Sequence, residues 1–384
     1  MSEYDGSLLN TVSRIAEEGT SQESKTDAFR KALVKKARAR GIPIDGTFEL
    51  TPLCNLDCKM CYVHLDRAKP LDTDTWKSLM SQAIAEGLLT ATLTGGECLT
   101  HPGFKELYSF LGDRGTETVI LSNGVLLDEE MISFLQRRQP VNIQISLYGS
   151  SEDAYEKVTG HRVFHTVFSH MLALRDAGLK VTAAVTPSAE MEDAEEILRL
   201  LHKNGFRFNL NRMLVPPRAE TGRASHRPDY EKTIHLEKVK RELLGLPLYT
   251  PVAESDLPPT GGSCSGEKPI ISCGAARSAY TVDWHGTMHP CIDFRGISAE
   301  PLQTGFREAW RKIHEQIVDF PAPVECAGCA YSGFCDTCVA HHAMNAPYGH
   351  ANPVFCELAR RAAVAGLVPF SENGKDGSQT QPAP

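Results

Sequence analysis

From Gly46 onward, short β-rich runs alternate with amphipathic helical patterns at intervals of roughly 25 to 40 residues, the rhythm of βα units on a parallel sheet. The runs fall at Thr47–Leu53, Thr90–Thr94, Thr118–Ser122, Val141–Leu147, Lys180–Thr186 and Arg207–Arg212. Between them, Trp76, Leu79, Met80, Ala83 and Ile84 keep the spacing of one helical face and stop before Gly87; Ala194, Ile197, Leu198 and Leu201 do the same before Gly205. Six such units predict part of an α/β barrel or an open doubly wound sheet. In either, chemistry belongs where strands end and loops begin.

After the sixth run the composition changes. Residues 215–227 and 245–263 are rich in Pro, Gly, Ser and Thr and read as loops around one helix, about Asp229–Leu244. Residues 370–384 are polar and predict a disordered tail. Residues 21–40 hold seven Lys or Arg against two acids, with Phe29, Leu33 and Ala37 as a thin apolar stripe. They predict a helix packed on the barrel, with a basic dock for an acidic peptide as the alternative.

The net charge of −8 over 384 residues disfavours nucleic acid as a partner. The first 20 residues lack an apolar core flanked by basic residues, and no run is long enough to span a bilayer, which predicts a cytoplasmic protein. Twelve cysteines in such a chain imply metal or redox use in place of disulfides.

Three of them, Cys54, Cys58 and Cys61, follow the first strand with a three-then-two spacing that can ligate three corners of a four-iron cluster, leaving one iron open. A zinc site or a redox pair is the bland alternative. After the second strand comes Thr94-Gly95-Gly96-Glu97, where paired glycines allow a close backbone approach to a ligand and a carboxylate can accept from an ammonium group. The cysteine triad resembles the signature of radical S-adenosylmethionine (SAM) enzymes, and the Gly-Gly-Glu stretch resembles the family motif that holds the amino group of SAM. The resemblance implies a partial six-stranded barrel, a 4Fe–4S cluster whose open iron binds SAM, and reductive cleavage of SAM to a 5′-deoxyadenosyl radical. It also places Ser122, Asn123, Gln144 and Ser146 at ribose and carboxylate positions and Tyr62 near adenine. Arg212 pairs with the SAM carboxylate or with a nearby acid. Cys98, beside Glu97, is either a small buried thiol or a catalytic one that donates a hydrogen atom or anchors an intermediate.

Seven cysteines between Cys264 and Cys338, and one more at Cys356, resemble the SPASM extension of radical SAM enzymes that modify peptides. The resemblance assigns Cys264, Cys273, Cys291 and Cys338 to one auxiliary 4Fe–4S cluster and Cys326, Cys329, Cys335 and Cys356 to a second, for three clusters in all. The pair Cys335 and Cys338 is one residue closer than the usual pattern. A zinc ribbon over Cys326 to Cys338 is the runner-up.

The fold expected is thus α/β, a partial (β/α)6 TIM-like barrel over residues 47–245. A helical extension (1–46) precedes it, and a small Cys-rich iron–sulfur domain (246–366) and a tail (367–384) follow. The function expected is oxidative modification of a ribosomally made peptide through a thioether or carbon–carbon cross-link. Its partners would be the peptide and a flavodoxin- or ferredoxin-type reductant. The 46 residues before the barrel are too few for a winged-helix leader-binding domain, so recognition of the leader is expected to need a separate leader-binding protein or another surface. The alternatives are oxidation of a small metabolite, such as a tetrapyrrole side chain or a sugar alcohol, and sulfatase-maturase-like oxidation of a protein Cys or Ser. In the last, an acid directly after the cysteine matching Cys291 is usual as general base; here that place is Ile292, and Asp293 follows.

Overall fold

The computed structural model describes residues 22–61, 63, 68–212, 229–257, 273–318, 320, 323–326, 329–331, 334, 335, 338, 340–342, 347 and 349–368, with side chains from residue 28. Tyr62, Cys264, residues 215–227 and residues 370–384 lie outside this set.

Six strands alternate with helices as the sequence pattern predicts. They are β1 (Asp45–Glu49), β2 (Thr90–Thr94), β3 (Glu117–Ser122), β4 (Asn142–Ser146), β5 (Val181–Val185) and β6 (Arg207–Leu210). All pair in parallel and in sequence order. A doubly wound sheet reverses its order at a switch point, whereas unbroken order from β1 to β6 is the winding of a partial barrel. The first strand differs most from expectation, ending at Glu49 and not Leu53. Leu50 N–H still donates to Thr94 O at 2.8 Å, but Pro52 has no donor, and the chain turns away there to present the cysteines.

The helices follow from local signals. In α2 (Thr73–Ala85), Asp72 caps the first turn by accepting from Thr75 N–H at 2.8 Å, and Trp76, Leu79, Met80 and Ala83 form the buried face. The next helices are α3 (Phe104–Gly112), α4 (Glu129–Arg137), α5 (Glu152–Thr159), α6 (Phe164–Asp176) and α7 (Ala194–Lys203). The expected helix near 229–244 is α8, Tyr230–Leu243, capped by Asp229. The basic N-terminal helix α1 (Gln22–Arg40) packs at the end of the sheet where strands begin. Arg30 donates there to Glu117 at 2.7 Å and to Thr90 at 3.3 Å, and Ala37 is buried.

The C-terminal segment continues the same sheet. Strand β7 (Ala279–Val282) pairs in parallel with β1, and β8 (Met288–His289) returns antiparallel to β7. Gly286, at φ +84°, makes the turn between them. After a short helix, α9 (Pro301–Thr304), helix α10 (Phe306–Val318) packs against α2 and β8. Tyr280, Phe306, Ala309, Trp310 and Ile313 thereby join the core built by Phe48, Trp76 and the barrel strands. A second, smaller core gathers Ile234, Tyr331, Phe334 and one face of α11 (Pro353–Val364).

Candidate active site

The loops that carry the cysteine triad and the Gly-Gly-Glu turn sit at the C-terminal ends of β1 and β2. The loop after β1 carries Cys54, Cys58 and Cys61, and it is fastened by backbone bonds. Asp57 N–H donates to Thr159 O and Lys59 N–H to Val158 O, both at 3.1 Å, while Cys61 N–H donates to Cys58 O at 3.0 Å. Donors also face the sulfurs. Leu56 N–H and Val63 N–H approach Cys54 Sγ and Cys61 Sγ at 3.4 Å, and Asn123 Nδ2 approaches Cys54 Sγ at 3.6 Å. Burial and the two neighbouring thiols push Cys58 up to about 12. Three crowded thiols of this kind ionise together only when a cation compensates them, and amide donors aimed at sulfur suit thiolates. The residues therefore fit a 4Fe–4S cluster bound through three cysteines.

The Gly-Gly-Glu turn after β2 does something different from what its sequence suggests. Gly95, at φ +138°, would place a Cβ 2.3 Å from Thr51 O, and a Cβ on Gly96 would fall 2.5 Å from Leu53 O. Gly96 N–H donates to Thr51 O at 2.7 Å and Glu97 N–H to Leu53 O at 2.8 Å. The glycines thus let this turn lie directly on the cysteine loop. Thr94, Gly95 and Gly96 still form part of the cavity wall, but Glu97 is fully buried behind it. Its carboxylate accepts from Leu99 N–H at 3.1 Å, Asn123 N–H at 2.7 Å and Ser122 Oγ at 3.1 Å. Burial raises Glu97, and these donors oppose the shift. Glu97 is placed as a hub joining the ends of β2 and β3.

Cys98 is equally remote. It is fully buried, its Sγ lies 3.4 Å from Leu121 O and 3.7 Å from Glu97 Oε1, and it forms no part of the cavity wall. The expectation of a thiol at the barrel mouth gives way to the small buried thiol, because in the short helical turn Cys98–Thr100 its side chain is enclosed against Leu121 O at the end of β3.

A cavity of about 460 Å³ brings most of the remaining candidates together. The three cysteines line one side, with Ser122, Asn123, Gln144 and Ser146 beside them. Asn123 is already engaged, its Nδ2 donating to Asn55 Oδ1 at 2.8 Å and its Oδ1 accepting from Val125 N–H at 3.0 Å. On β4, Asn142, Gln144 and Ser146 alternate with buried Ile143 and Ile145, so one face is polar toward the barrel interior. Tyr148 continues that face into the cavity wall, a period-two signal the sequence reading left unused.

Arg212, Asp293 and His341 line the cavity too. Arg212 donates to Phe334 O at 2.6 Å, lies 3.7 Å from Glu237 and stacks over the Phe334 ring, so it ties the end of β6 to the C-terminal segment. Asp293 Oδ2 lies 3.2 Å from His341 Nε2, and the His341 ring stacks parallel on Phe355. Nothing in the sequence singles out His341, because what matters is its pairing across 48 residues with an acid.

The cysteines of the C-terminal segment gather in two places. Cys338 is raised first by burial and then by Asp293 and Cys273, and Cys291, with Cys338 nearby, is pushed up to about 12, chiefly by burial. Elsewhere, burial with Cys356 and Cys329 close by pushes Cys326 up to about 11. Cys335 packs with Cys329 against the smaller core.

Residues 48–202 match the model of the radical SAM superfamily. The sporulation killing factor maturation protein SkfB of Bacillus subtilis is 27% identical over 201 residues, 51% of this chain but only 49% of that protein. The antilisterial bacteriocin subtilosin biosynthesis protein AlbA of the same organism is 22% identical over 355 residues, 85% of this chain and 73% of that protein. The crystal structure of Streptococcus suis SuiB bound to S-adenosylmethionine superposes with a TM-score of 0.64 at 16% identity, covering 90% of this chain and 86% of that one. SuiB bound to its precursor peptide SuiA gives 0.62 at 18% identity, covering 91% and 87%. With the cysteine loop after β1, the Gly-Gly turn after β2 and the ordered parallel strands that carry them, residues 48–202 form a domain of the radical SAM superfamily, which implies one 4Fe–4S cluster and SAM.

Proposed function

We propose that this enzyme modifies a ribosomally made peptide, joining two of its residues through a thioether or carbon–carbon bond. The observation that carries this reading is a cavity lined both by the three thiols and by Asp293, His341, Asn211 and Thr186. Such a chamber has one side for SAM and another for a residue that must come within reach of it. The likeness to SkfB, AlbA and SuiB supports a peptide as that visitor.

Cys54, Cys58 and Cys61 would hold the cluster, and Thr94, Gly95, Gly96 and the polar ends of β3 and β4 would hold SAM. When bound, the pair supplies a 5′-deoxyadenosyl radical. The protein's own work is to exclude water, hold SAM against the cysteine loop and bring a substrate C–H bond to the Asp293 side.

Two auxiliary 4Fe–4S clusters complete the reading, one on Cys264, Cys273, Cys291 and Cys338 and one on Cys326, Cys329, Cys335 and Cys356. The gathering of Cys273, Cys291 and Cys338, and separately of Cys326, Cys329 and Cys356, supports this grouping. The reaction would draw electrons from a flavodoxin- or ferredoxin-type protein and take place in the cytoplasm. Among the described residues no helix is long and apolar enough to cross a membrane.

One observation favours a second reading. Asp293 reaches the cavity wall although it stands one place later than the acid expected after Cys291, so oxidation of a Cys or Ser side chain would have its acidic group in place. One experiment separates the two. Anaerobically reconstituted enzyme is given SAM, a reductant and the short peptides encoded beside its gene, and products are read by mass spectrometry. Loss of two hydrogens with a new link between residues supports the peptide cross-link. Loss of two hydrogens confined to one Cys or Ser supports the second reading. No change in any peptide, alongside oxidation of a small metabolite, overturns both.

A further inference from the structure

A chain of ionic groups crosses the sheet where β1, β7 and the loop after Cys291 meet. Glu49, the last residue of β1 and fully buried, accepts from Arg295 Nη2 at 2.7 Å. Arg295 Nη1 reaches Asp283 Oδ2 at 3.5 Å, and Arg295 Nε donates to Ile292 O at 3.0 Å. Asp283 closes the β7–β8 turn, its Oδ1 accepting from the amides of His285 and Thr287 at 3.0 Å. Its Oδ2 also faces His289 Nε2 at 3.1 Å, and His289 Nδ1 faces Ile297 O at 3.3 Å. None of these four side chains lines the cavity, and the proposed reaction uses none of them.

As plain stabilisation the arrangement is a poor bargain, because buried ions lose in desolvation much of what pairing returns. What a planar guanidinium supplies instead is direction, holding several acceptors at fixed angles. Here the acceptors belong to three pieces of chain. Glu49 stands five places before Cys54. Asp283 fixes the hairpin beside β1. Ile292 lies between Cys291, a proposed cluster ligand, and Asp293, on the cavity wall.

We propose that Arg295, anchored on Glu49 and Asp283, is a positioning residue that fixes the Cys291–Asp293 segment, and the auxiliary cluster it would carry, relative to the Cys54, Cys58 and Cys61 site. The proposal rests on the auxiliary-cluster reading above. Separations between redox centres and reacting groups are where small displacements have large consequences, and a locked supporting residue is the usual way to hold them.

The test compares wild-type holoenzyme with two variants. The double variant Glu49→Gln/Arg295→Met removes both charges together and leaves Asp283 with His289 and two amides, so no new unpaired ion is buried. The single variant Arg295→Lys keeps a cation but replaces the fork with a point charge that cannot serve three acceptors. Iron content, 5′-deoxyadenosine formation without peptide, and the paramagnetic resonance spectrum of the reduced protein are read for all three. Expected are a magnetic interaction between the SAM-binding cluster and its auxiliary neighbour in the wild type, wild-type iron content and SAM cleavage in both variants, and an altered interaction in both; its absence from an iron-replete wild type overturns the proposal. An unaltered interaction in iron-replete variants reduces the quartet to a core ion pair and overturns the proposal. Loss of iron from both variants also overturns it, by making the quartet a folding element. Wild-type protein carrying only about four irons per chain removes the auxiliary-cluster reading itself, and this inference with it.

Discussion

The barrel and the C-terminal segment hold their cysteines in opposite ways. Around Cys54, Cys58 and Cys61 the backbone is fastened to α5 and β2, amides already face two of the sulfurs, and the loop rests on a sheet of six parallel strands. Around Cys326, Cys329, Cys335 and Cys356 the described chain makes turns, such as Cys329 N–H to Cys326 O at 3.3 Å, over the smaller core. The first site is shaped by the fold ahead of its ligand. In the second, metal would supply much of the order, as in small domains with little core of their own.

Removing iron is the severest test of that contrast. Chelation should loosen residues 326–368 while β1 to β6 stay folded, since metal binding in small sites is worth roughly ten kcal/mol or more of folding free energy. Hydrogen exchange read segment by segment checks this, and equal loosening of both regions would break the comparison.

The next effect belongs to Glu97. Gln in its place has one acceptor oxygen for three donors and brings an NH2 group against one of them, a cost of about 1–3 kcal/mol for each buried group left unsatisfied. Glu97→Gln should therefore lower thermal stability and cluster retention together. Weaker SAM binding in a variant of unchanged stability and iron content would instead make Glu97 a direct ligand of SAM.

How far the sequence carried is clearest by comparing particular residues. Strands and helices of the barrel were legible because their signals are local: Trp76, Leu79, Met80 and Ala83 form one buried face of α2, and Gly87 ends its register at φ +115°. The cysteine loop was legible for the same reason, its three thiols lying within eight residues. Glu97, Cys98 and Arg212 were found as candidates, but their orientation was not, because it depends on Ser122, Asn123, Leu121 and Phe334 in distant pieces of chain. His341 and Arg295 gave no signal at all. Each acquires meaning only from an acid brought near by the fold, Asp293 for one and Glu49 for the other.

Proton linkage sharpens the picture of the first site. In the metal-free protein Cys58 is pushed up to about 12, so it is protonated at neutral pH and must release its proton on ligation. Loading of the SAM-binding cluster should therefore become easier as pH rises from about 7 toward 9, by up to about tenfold per unit for each proton released. Reconstitution of a variant lacking Cys273, Cys291, Cys329 and Cys335, so that iron reports on the first site alone, followed by iron analysis across that range, measures it; loading independent of pH would show that Cys58 is already ionised.

Cys98→Ala should do least. The thiol makes only weak contacts inside the core, so stability should fall by about 1 kcal/mol and 5′-deoxyadenosine formation should stay within about twofold of wild type. A collapse of product formation with normal SAM cleavage would return Cys98 to the chemistry.

The central claim is that radical generation depends on the cysteine loop of β1 and not on the C-terminal cysteines. It is tested most directly by measuring 5′-deoxyadenosine from SAM and dithionite with two anaerobically reconstituted variants, Cys54, Cys58 and Cys61 all replaced by Ala, and Cys329 and Cys335 both replaced by Ala. The account predicts none from the first and near wild-type formation from the second. Formation of 5′-deoxyadenosine by the triple variant would contradict it.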